Sequence, residues 1–237
     1  LFLSPYGKKI GPDPASINSA MIGGIAANNA SGMCCGTAQN SYRTLISMKI
    51  IFADGATLDT GDQQSRKTFS QSHNELLIRI ADISLRTKQS TLLAERIRNK
   101  YKMKNTTGYS LNALVDFEAP IDIIQHLMIG SEGTLGFMAE VTYHTVPEYQ
   151  NRASALMVFP DIETTCDAVV ILKSCNVEAV EIMDRASLRS VEEKEGMPEY
   201  FKRLSPHAAS LLVETRAADP AQLLMNIEAI TNAVGHL

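Results

Sequence analysis

The sequence lacks most of the features that mark a metal-binding, secreted or membrane-spanning chain. It holds only four cysteines in 237 residues, and none of them has the CxxC spacing common among zinc and iron–sulfur ligands. No stretch approaches the roughly 18 consecutive apolar residues of a membrane helix. The first residues include Lys8 and Lys9 after a short apolar start, which does not resemble a signal peptide. We therefore expect neither a metal site nor a membrane span in this chain.

The chain also has no excess of positive charge. Its formal net charge is -4, and its basic residues are scattered, with the densest run between Arg96 and Lys104. Domains that bind nucleic acid usually carry a concentrated basic surface, so we expect no nucleic acid as a partner. Hydrophobic residues make up 45% of the chain and charged residues 20%. That balance is typical of a globular protein with a real core.

Two of the cysteines, Cys34 and Cys35, are neighbours in the sequence. They could form a redox pair, or they could be two small residues packed into a loop of a cytosolic protein. The second interpretation is typical of free cysteines, which behave as small apolar side chains. Neither interpretation makes them metal ligands.

A change of pattern near Pro147 predicts two domains, residues 1–147 and residues 151–237. In the first, periodicity and turn signals predict a strand over 45–53, a hairpin turn at 54–55, a helix over 73–100 interrupted at 88–90, a short helix over 121–127 and a strand over 137–146. In the second they predict strands over 153–159, 179–183 and 208–214, with helices that open at 160–161, 185 and 219–220. The second pattern is the beginning of a ferredoxin-like α+β domain.

The first candidate site is a segment of small residues that ends at Gly32. Gly23 and Gly24 are adjacent, which lets the main chain lie flat against a bulky ligand and can expose successive N–H groups to phosphate oxygens. Asn28, Asn29 and Ser31 add polar atoms with little bulk. A helix-packing turn rich in glycine and alanine would have the same spacing, so both interpretations stay open.

Two further segments are candidates for contact with a ligand. Gly130–Gly136 reads Gly-Ser-Glu-Gly-Thr-Leu-Gly, a tight loop that matches neither a Walker A motif nor a dinucleotide fingerprint. Lys102–Tyr109 combines two lysines, two threonines and a glycine, which suits an anion-binding loop. A solvated connection after a helix would explain the second segment equally simply.

Together and in this order, these segments resemble the FAD-linked oxidase and dehydrogenase family of the vanillyl-alcohol-oxidase fold, with its PCMH-type FAD-binding domain. The branch most similar is that of the D-lactate and D-2-hydroxyglutarate dehydrogenases, including bacterial proteins that fuse the flavin unit to an iron–sulfur unit. The resemblance covers about residues 11–190 and is carried by Ile22–Gly32, Phe52–Gly55, Asn105–Leu111, Gly130–Phe137 and Glu181–Leu188.

The resemblance implies an α+β fold. Residues 1–147 would be the second FAD-binding subdomain of the PCMH type, and residues 151–237 would begin a ferredoxin-like substrate, or cap, domain. The chain would then be an internal fragment of a larger protein that lacks the family's N-terminal subdomain. FAD is the implied cofactor, with an iron–sulfur cluster and a metal confined to other parts of the parent protein. The expected location is cytoplasmic, or peripheral at the inner membrane.

The resemblance also implies roles for individual residues. It places FAD against seven positions: Gly23, Gly24, Asn28, Asn29, Ser31, Gly32 and Phe137. It places the substrate carboxylate near Thr107 and Lys104. Two features depart from the family pattern. The Tyr-Gly pair expected after the Gly-Gly segment is missing, with Gly36 and Tyr42 nearest, and an arginine that some relatives carry before Asn-Thr-Gly-Tyr is replaced by Met103 or Lys104.

The implied reaction is oxidation of a small D-2-hydroxy acid to a 2-oxo acid by hydride transfer to the flavin. The sequence does not indicate the electron acceptor, and the fragment alone is expected to be inactive. We assign no catalytic residue, because a structural role suits each of the histidines: His73, His126, His144, His207 and His236. Two alternatives stay open, namely a flavoprotein of the same fold with another substrate, such as an ether-lipid synthase or a sugar oxidase, and a non-catalytic ligand-binding module.

Overall fold

The computed structural model describes residues 2–237, which form two compact units. The larger unit comprises residues 8–146, and the smaller one comprises residues 147–237 together with residues 2–7. The chain is α+β, and each unit has its own apolar core.

The elements of the larger unit begin with short pieces and become longer along the chain. Its strands are β1 (Lys8–Ile10), β2 (Leu45–Ile51), β3 (Thr57–Asp59), β4 (Phe137–Tyr143) and β5 (Thr145–Pro147), which ends at the boundary. Its helices are α1 (Ile22–Ala27), α2 (Ser41–Thr44), α3 (Gln63–Ser72), α4 (Asn74–Gln89), α5 (Thr91–Lys100), α6 (Ala113–Asp116) and α7 (Pro120–Met128).

A three-stranded antiparallel sheet of order β3-β2-β4 organises the larger unit. The predicted hairpin between β2 and β3 is confirmed. Gly55 takes a left-handed φ of 83° at its turn, and the Asp54 carboxylate accepts a hydrogen bond from the Ala56 N–H at 2.9 Å. Met48 and Ile50 of β2 are buried in the core together with residues of α3, α4 and α7. The alternation of large apolar side chains in β2 therefore places one face of the strand against the helices.

The helical region after the hairpin differs from the prediction at its start. The break at Ser90 is confirmed, since α4 ends at Gln89 and α5 begins at Thr91. The prediction missed α3, however, because most of its side chains are polar. Asp62 caps this helix, with carboxylate oxygens accepting from the N–H groups of Gln64 and Ser65.

The smaller unit follows the predicted order of strands and helices. Its elements are β6 (Asn151–Phe159), α8 (Ile162–Leu172), β7 (Ala179–Met183), α9 (Arg185–Arg189), β8 (Ala209–Ala217) and α10 (Pro220–Val234). β8 lies between β6 and β7 and is antiparallel to both, so β6-α8-β7 is a split βαβ unit. Asp161 and Asp219 cap α8 and α10, which pack side by side against the sheet. The helix predicted from Arg185 is real but short.

Candidate functional site

The Gly-Gly segment forms α1, a six-residue helix whose second and third residues are Gly23 and Gly24. Ile25 and Ala26 face the core, while the helix begins at exposed Met21 without a side-chain cap. The N–H groups of the first turn have no partner inside the helix. The expected flat loop is therefore a short helix with its glycines near the surface and with Ile25 and Ala26 turned inward.

Asp13 holds the end of this segment in place. Its carboxylate Oδ1 accepts hydrogen bonds from the N–H of Gly32 at 2.9 Å and from the N–H of Cys35 at 3.2 Å. Gly32 lies so close to Asp13 that an added Cβ would stand 1.9 Å from the Asp13 carbonyl oxygen. A glycine is thus required at Gly32 by packing within the chain. Asp13 was not predicted, because its partners lie about 20 residues away and form no recognisable motif with it.

The Gly130–Gly136 loop docks directly onto α1. The N–H of Gly130 donates to the carbonyl of Ala26 at 3.1 Å, and the N–H of Glu132 donates to the carbonyl of Ala27 at 2.9 Å. Gly130 and Gly133 have φ values of 83° and 75°, which favour glycine. The loop therefore continues the surface of the Gly-Gly segment, although 100 residues separate the two in sequence.

The Lys102–Tyr109 loop also contacts the segment that contains Gly23 and Gly24. Asn29 donates from Nδ2 to the carbonyl of Asn105 at 3.3 Å, and Lys104 donates from Nζ to the carbonyl of Ser31 at 2.6 Å. A Cβ on Gly130 would lie 3.1 Å from the carbonyl oxygen of Gly108. All three motifs that the sequence singled out thus converge on one surface of the larger unit.

This common surface is open beside α1. A Cβ added to Gly24 would meet nothing within 4 Å, and one added to Gly23 would approach only the carbonyl of Met138, at 3.9 Å. Large apolar side chains are exposed in the same elements, with 80% of Met21 and 67% of Phe137 accessible. Exposed main chain flanked by apolar side chains suits a flat, largely apolar ring system with polar edges, so these residues fit a flavin.

The predicted site residues occupy different positions around this surface. Gly24, Asn28 and Phe137 are exposed, while Gly23, Ser31 and Gly32 are partly buried. Asn29 is buried, has a left-handed φ of 46° and uses its side chain to hold the Asn105 loop. Thr107 is exposed, whereas the Lys104 ammonium is bound to the Gly-Gly segment. Contact between any of them and FAD or substrate stays a prediction.

The two candidates for the missing Tyr-Gly pair behave differently. Gly36 adopts a left-handed φ of 48° in the loop after Cys35. The Tyr42 hydroxyl donates to Asp116 Oδ2 at 2.8 Å. Burial, followed by the neighbouring Asp116 carboxylate, raises the pKa of Tyr42 far above its usual range. Tyr42 is therefore a fixed neutral donor in the interior of the unit.

His126 is the most buried of the histidines and supports the core. Its ring stacks on Phe117 with a centroid separation of 3.9 Å and meets the Tyr42 ring edge-on. Nδ1 donates to the carbonyl of Asp122 at 2.8 Å, which fixes the tautomer. Burial lowers the pKa of His126, so the neutral ring is favoured. This role agrees with the structural role predicted from the sequence.

His73 and His144 lie between secondary-structure elements of the larger unit. His73 lies between α3 and α4, stacks on Phe69 and places Nε2 3.0 Å from Asp54 Oδ2. The hairpin turn therefore packs against this helix junction. His144 lies between β4 and β5. Within residues 2–237, no three His, Cys, Asp or Glu side chains form a metal-ligand cluster.

Two family models match the chain. Residues 1–61 match an FAD binding domain, and residues 148–237 match the C-terminal domain of FAD linked oxidases. The chain therefore combines both domains with an open, glycine-rich surface that suits a flavin. These features define a flavoprotein. The chain carries domains of the FAD-linked oxidase family, and these domains indicate FAD as its cofactor.

The named relatives are D-lactate dehydrogenases. The chain is 23% identical over 195 residues to "D-lactate dehydrogenase" of Archaeoglobus fulgidus, covering 81% of this chain and 32% of that protein. It is 23% identical over 197 residues to "D-lactate dehydrogenase [cytochrome], mitochondrial" of Arabidopsis thaliana, covering 82% of this chain and 25% of that protein. The chain thus spans between a quarter and a third of the length of these relatives.

A solved structure shows the same fold. "Alkyldihydroxyacetonephosphate synthase" superposes with a TM-score of 0.58 at 14% identity, covering 99% of this chain and 35% of that one. This similarity extends over both units and supports the PCMH-type fold. Among the residues that the structure describes, no helix is both long and apolar enough to cross a membrane.

Proposed function

We propose that this chain supplies part of the FAD site of an oxidoreductase that oxidises a small D-2-hydroxy acid to the corresponding 2-oxo acid. The observation that carries this proposal is the convergence of the three motif loops on the open surface beside Gly23 and Gly24. The similarity to D-lactate dehydrogenases supports the substrate class. Bound FAD would supply the hydride acceptor of this reaction.

The role of this chain in the reaction would be to bind and to position. The backbone of Gly23, Gly24 and Phe137 would lie along the flavin, and Asn28 and Ser31 would offer polar groups to it. Asn29 and Gly32 would act from inside, by fixing the shape of the segment through Asn105 and Asp13. Placing the cofactor and the substrate in a fixed relative geometry is a large part of what a flavoenzyme contributes.

The Lys102–Tyr109 loop would hold the substrate carboxylate. Thr107 is exposed and can donate its hydroxyl hydrogen to an anion. Lys104 would add positive charge nearby while its Nζ ties the loop to the carbonyl of Ser31. In this arrangement the loop that binds the substrate is attached directly to the segment that binds the flavin.

Flavin bleaching in the full-length protein tests this function. D-lactate and other small D-2-hydroxy acids should reduce the bound flavin under anaerobic conditions, and their L-enantiomers should not. Thr107→Ala should lower kcat/KM by about 10- to 100-fold, since it removes a hydrogen bond to a charged group, while flavin content stays unchanged. Thr106→Ala is the matched control, because Thr106 is the exposed neighbour in the same loop.

Two results would contradict the proposal. If no D-2-hydroxy acid bleaches the flavin, the substrate class is wrong, and ether-lipid precursors and sugars become the next substrates to test. If Thr107→Ala and Thr106→Ala have the same kcat/KM as the wild type, the loop is a connection and the carboxylate is held elsewhere.

A further inference from the structure

The larger unit also contains a polar cavity at the start of the Lys102–Tyr109 loop. Its volume is about 370 Å³, and it is lined by Thr37, Arg43, Arg98, Tyr101, Lys102, Asn112 and Asp116. Lys102 begins the loop proposed above to hold the substrate carboxylate, but Thr107 and Lys104, which would contact the carboxylate, are not in this lining. A volume of this size lies within the range of small-molecule sites.

We propose that this cavity, the Arg43–Arg98 groove, binds a small oxyanion that also carries a hydroxyl group or a bound proton. Three cations line it: Arg43, Arg98 and Lys102. Within residues 2–237, none of the three forms an ion pair with a carboxylate. The Lys102 ammonium donates to the neutral side chain of Asn99 at 2.9 Å. Asp116 is the one carboxylate in this lining, so the three cations leave the groove with an excess of positive charge.

Two arginines among these cations favour an oxyanion over other anions. A guanidinium group presents a planar fork of N–H donors that matches the spacing of carboxylate and phosphate oxygens. The Arg43 guanidinium stands 5.8 Å from the centre of the Tyr42 ring, and Tyr42 is itself held by Asp116. This contact restricts the position of the Arg43 guanidinium before any ligand binds.

Asp116 makes the groove selective. Its Oδ2 accepts hydrogen bonds from the Tyr42 hydroxyl at 2.8 Å and from Asn112 Nδ2 at 3.2 Å. Within residues 2–237 its other oxygen has no hydrogen-bond partner, and Asp116 is the one acidic residue in the lining of the groove. An oxyanion without a donor would meet repulsion there, whereas hydrogen phosphate or a hydroxylated carboxylate can donate to it. The groove should therefore prefer phosphate over sulfate, although the two ions have the same shape.

Calorimetric titration of the 237-residue chain at low ionic strength tests this site with inorganic phosphate, sulfate and D-lactate as probes. Phosphate should bind saturably and more tightly than sulfate, and added salt should weaken it. Arg98→Gln should weaken phosphate binding by about tenfold or more. The matched control is Arg96→Gln, on the same helix but outside the groove, which should leave binding unchanged. Asp116→Asn should reduce the preference for phosphate over sulfate.

The comparison between probes identifies the source of the anion. A larger effect of Arg98→Gln on phosphate than on D-lactate assigns the groove to phosphorylated ligands, and the reverse assigns it to carboxylates. Both results support the site. The proposal is wrong if neither phosphate nor D-lactate binds saturably. It is also wrong if Arg98→Gln and Arg96→Gln have equal effects on binding. Neither result tests FAD binding at the Gly-Gly segment.

Discussion

At the scale of single residues, Gly24 and Gly32 of the first motif have different roles, which the sequence alone did not distinguish. Gly32 is required by packing, since a Cβ there would overlap the main chain of Asp13. Gly24 is not, because its Cβ would point into open space. A glycine kept where the chain itself leaves room is available for close approach by a ligand. Gly32 therefore contributes to the stability of the segment, whereas Gly24 is free to contribute to ligand binding.

Replacing each glycine by alanine tests this difference. Gly32→Ala should destabilise the chain by about 1–3 kcal/mol, because the Asp13 carbonyl cannot move without breaking the loop it supports. Gly24→Ala should be neutral or stabilise by up to about 1 kcal/mol, since alanine favours a helical backbone more than glycine does. Urea unfolding of both variants without cofactor measures this. Equal stability of the two would contradict the packing that we describe at Gly32.

His126 gives the core a dependence on pH. Burial lowers the pKa of the folded ring, whereas the ring of the unfolded chain takes up a proton near pH 6.5. The unfolded state therefore binds more protons as the pH falls below about 6.5, and stability is lost in that direction, by up to about 1.4 kcal/mol per pH unit. His126→Phe keeps an aromatic ring and removes the titration. The stability of the wild type relative to this variant should fall between pH 7 and pH 5, as measured by urea unfolding. A constant difference over that range would show that the ring does not titrate as its burial requires.

At the scale of helices and strands, prediction succeeded where one local signal dominated. β7 was predicted at its observed bounds, and the starts of α8 and α10 follow from the Asp161 and Asp219 caps. α3 was missed because its contact with the core depends mainly on one residue, Phe69, which leaves no apolar stripe to detect. The short α1 was also missed, because its glycines mask the helical pattern.

The three motif loops of the candidate site could be predicted from the sequence, but the contacts that join them could not. The residues of each motif were visible as glycine-rich or polar loops, and the resemblance to the family ordered them. The hydrogen bonds that join them link Asn29 to Asn105 and Lys104 to Ser31, across more than 70 residues in each case. Such contacts depend on how the sheet and helices bring the loops together, which local sequence does not encode. For the same reason Lys104 was predicted only as a ligand contact and not as a tie between loops.

At the scale of the whole molecule, the two units carry different features. The larger unit carries the glycine-rich surface and the Arg43–Arg98 groove, and the smaller one carries a split βαβ sheet that matches the C-terminal domain of FAD linked oxidases. The matched part of this chain covers 32% and 25% of the two relatives described. Exposed apolar residues beside α1, such as Met21, are what a surface completed by a cofactor or by more protein would show.

FAD binding at the surface beside Gly23 and Gly24 is tested most directly by the flavin content of Gly24→Val in the full-length protein. The valine side chain would enter open space that the chain does not use, so we expect unchanged far-UV circular dichroism and a sharp loss of bound flavin relative to the wild type. Ala81→Val, at an exposed helical position in α4, is the control and should keep its flavin. A folded Gly24→Val protein with the full wild-type ratio of flavin to protein absorbance would contradict the account.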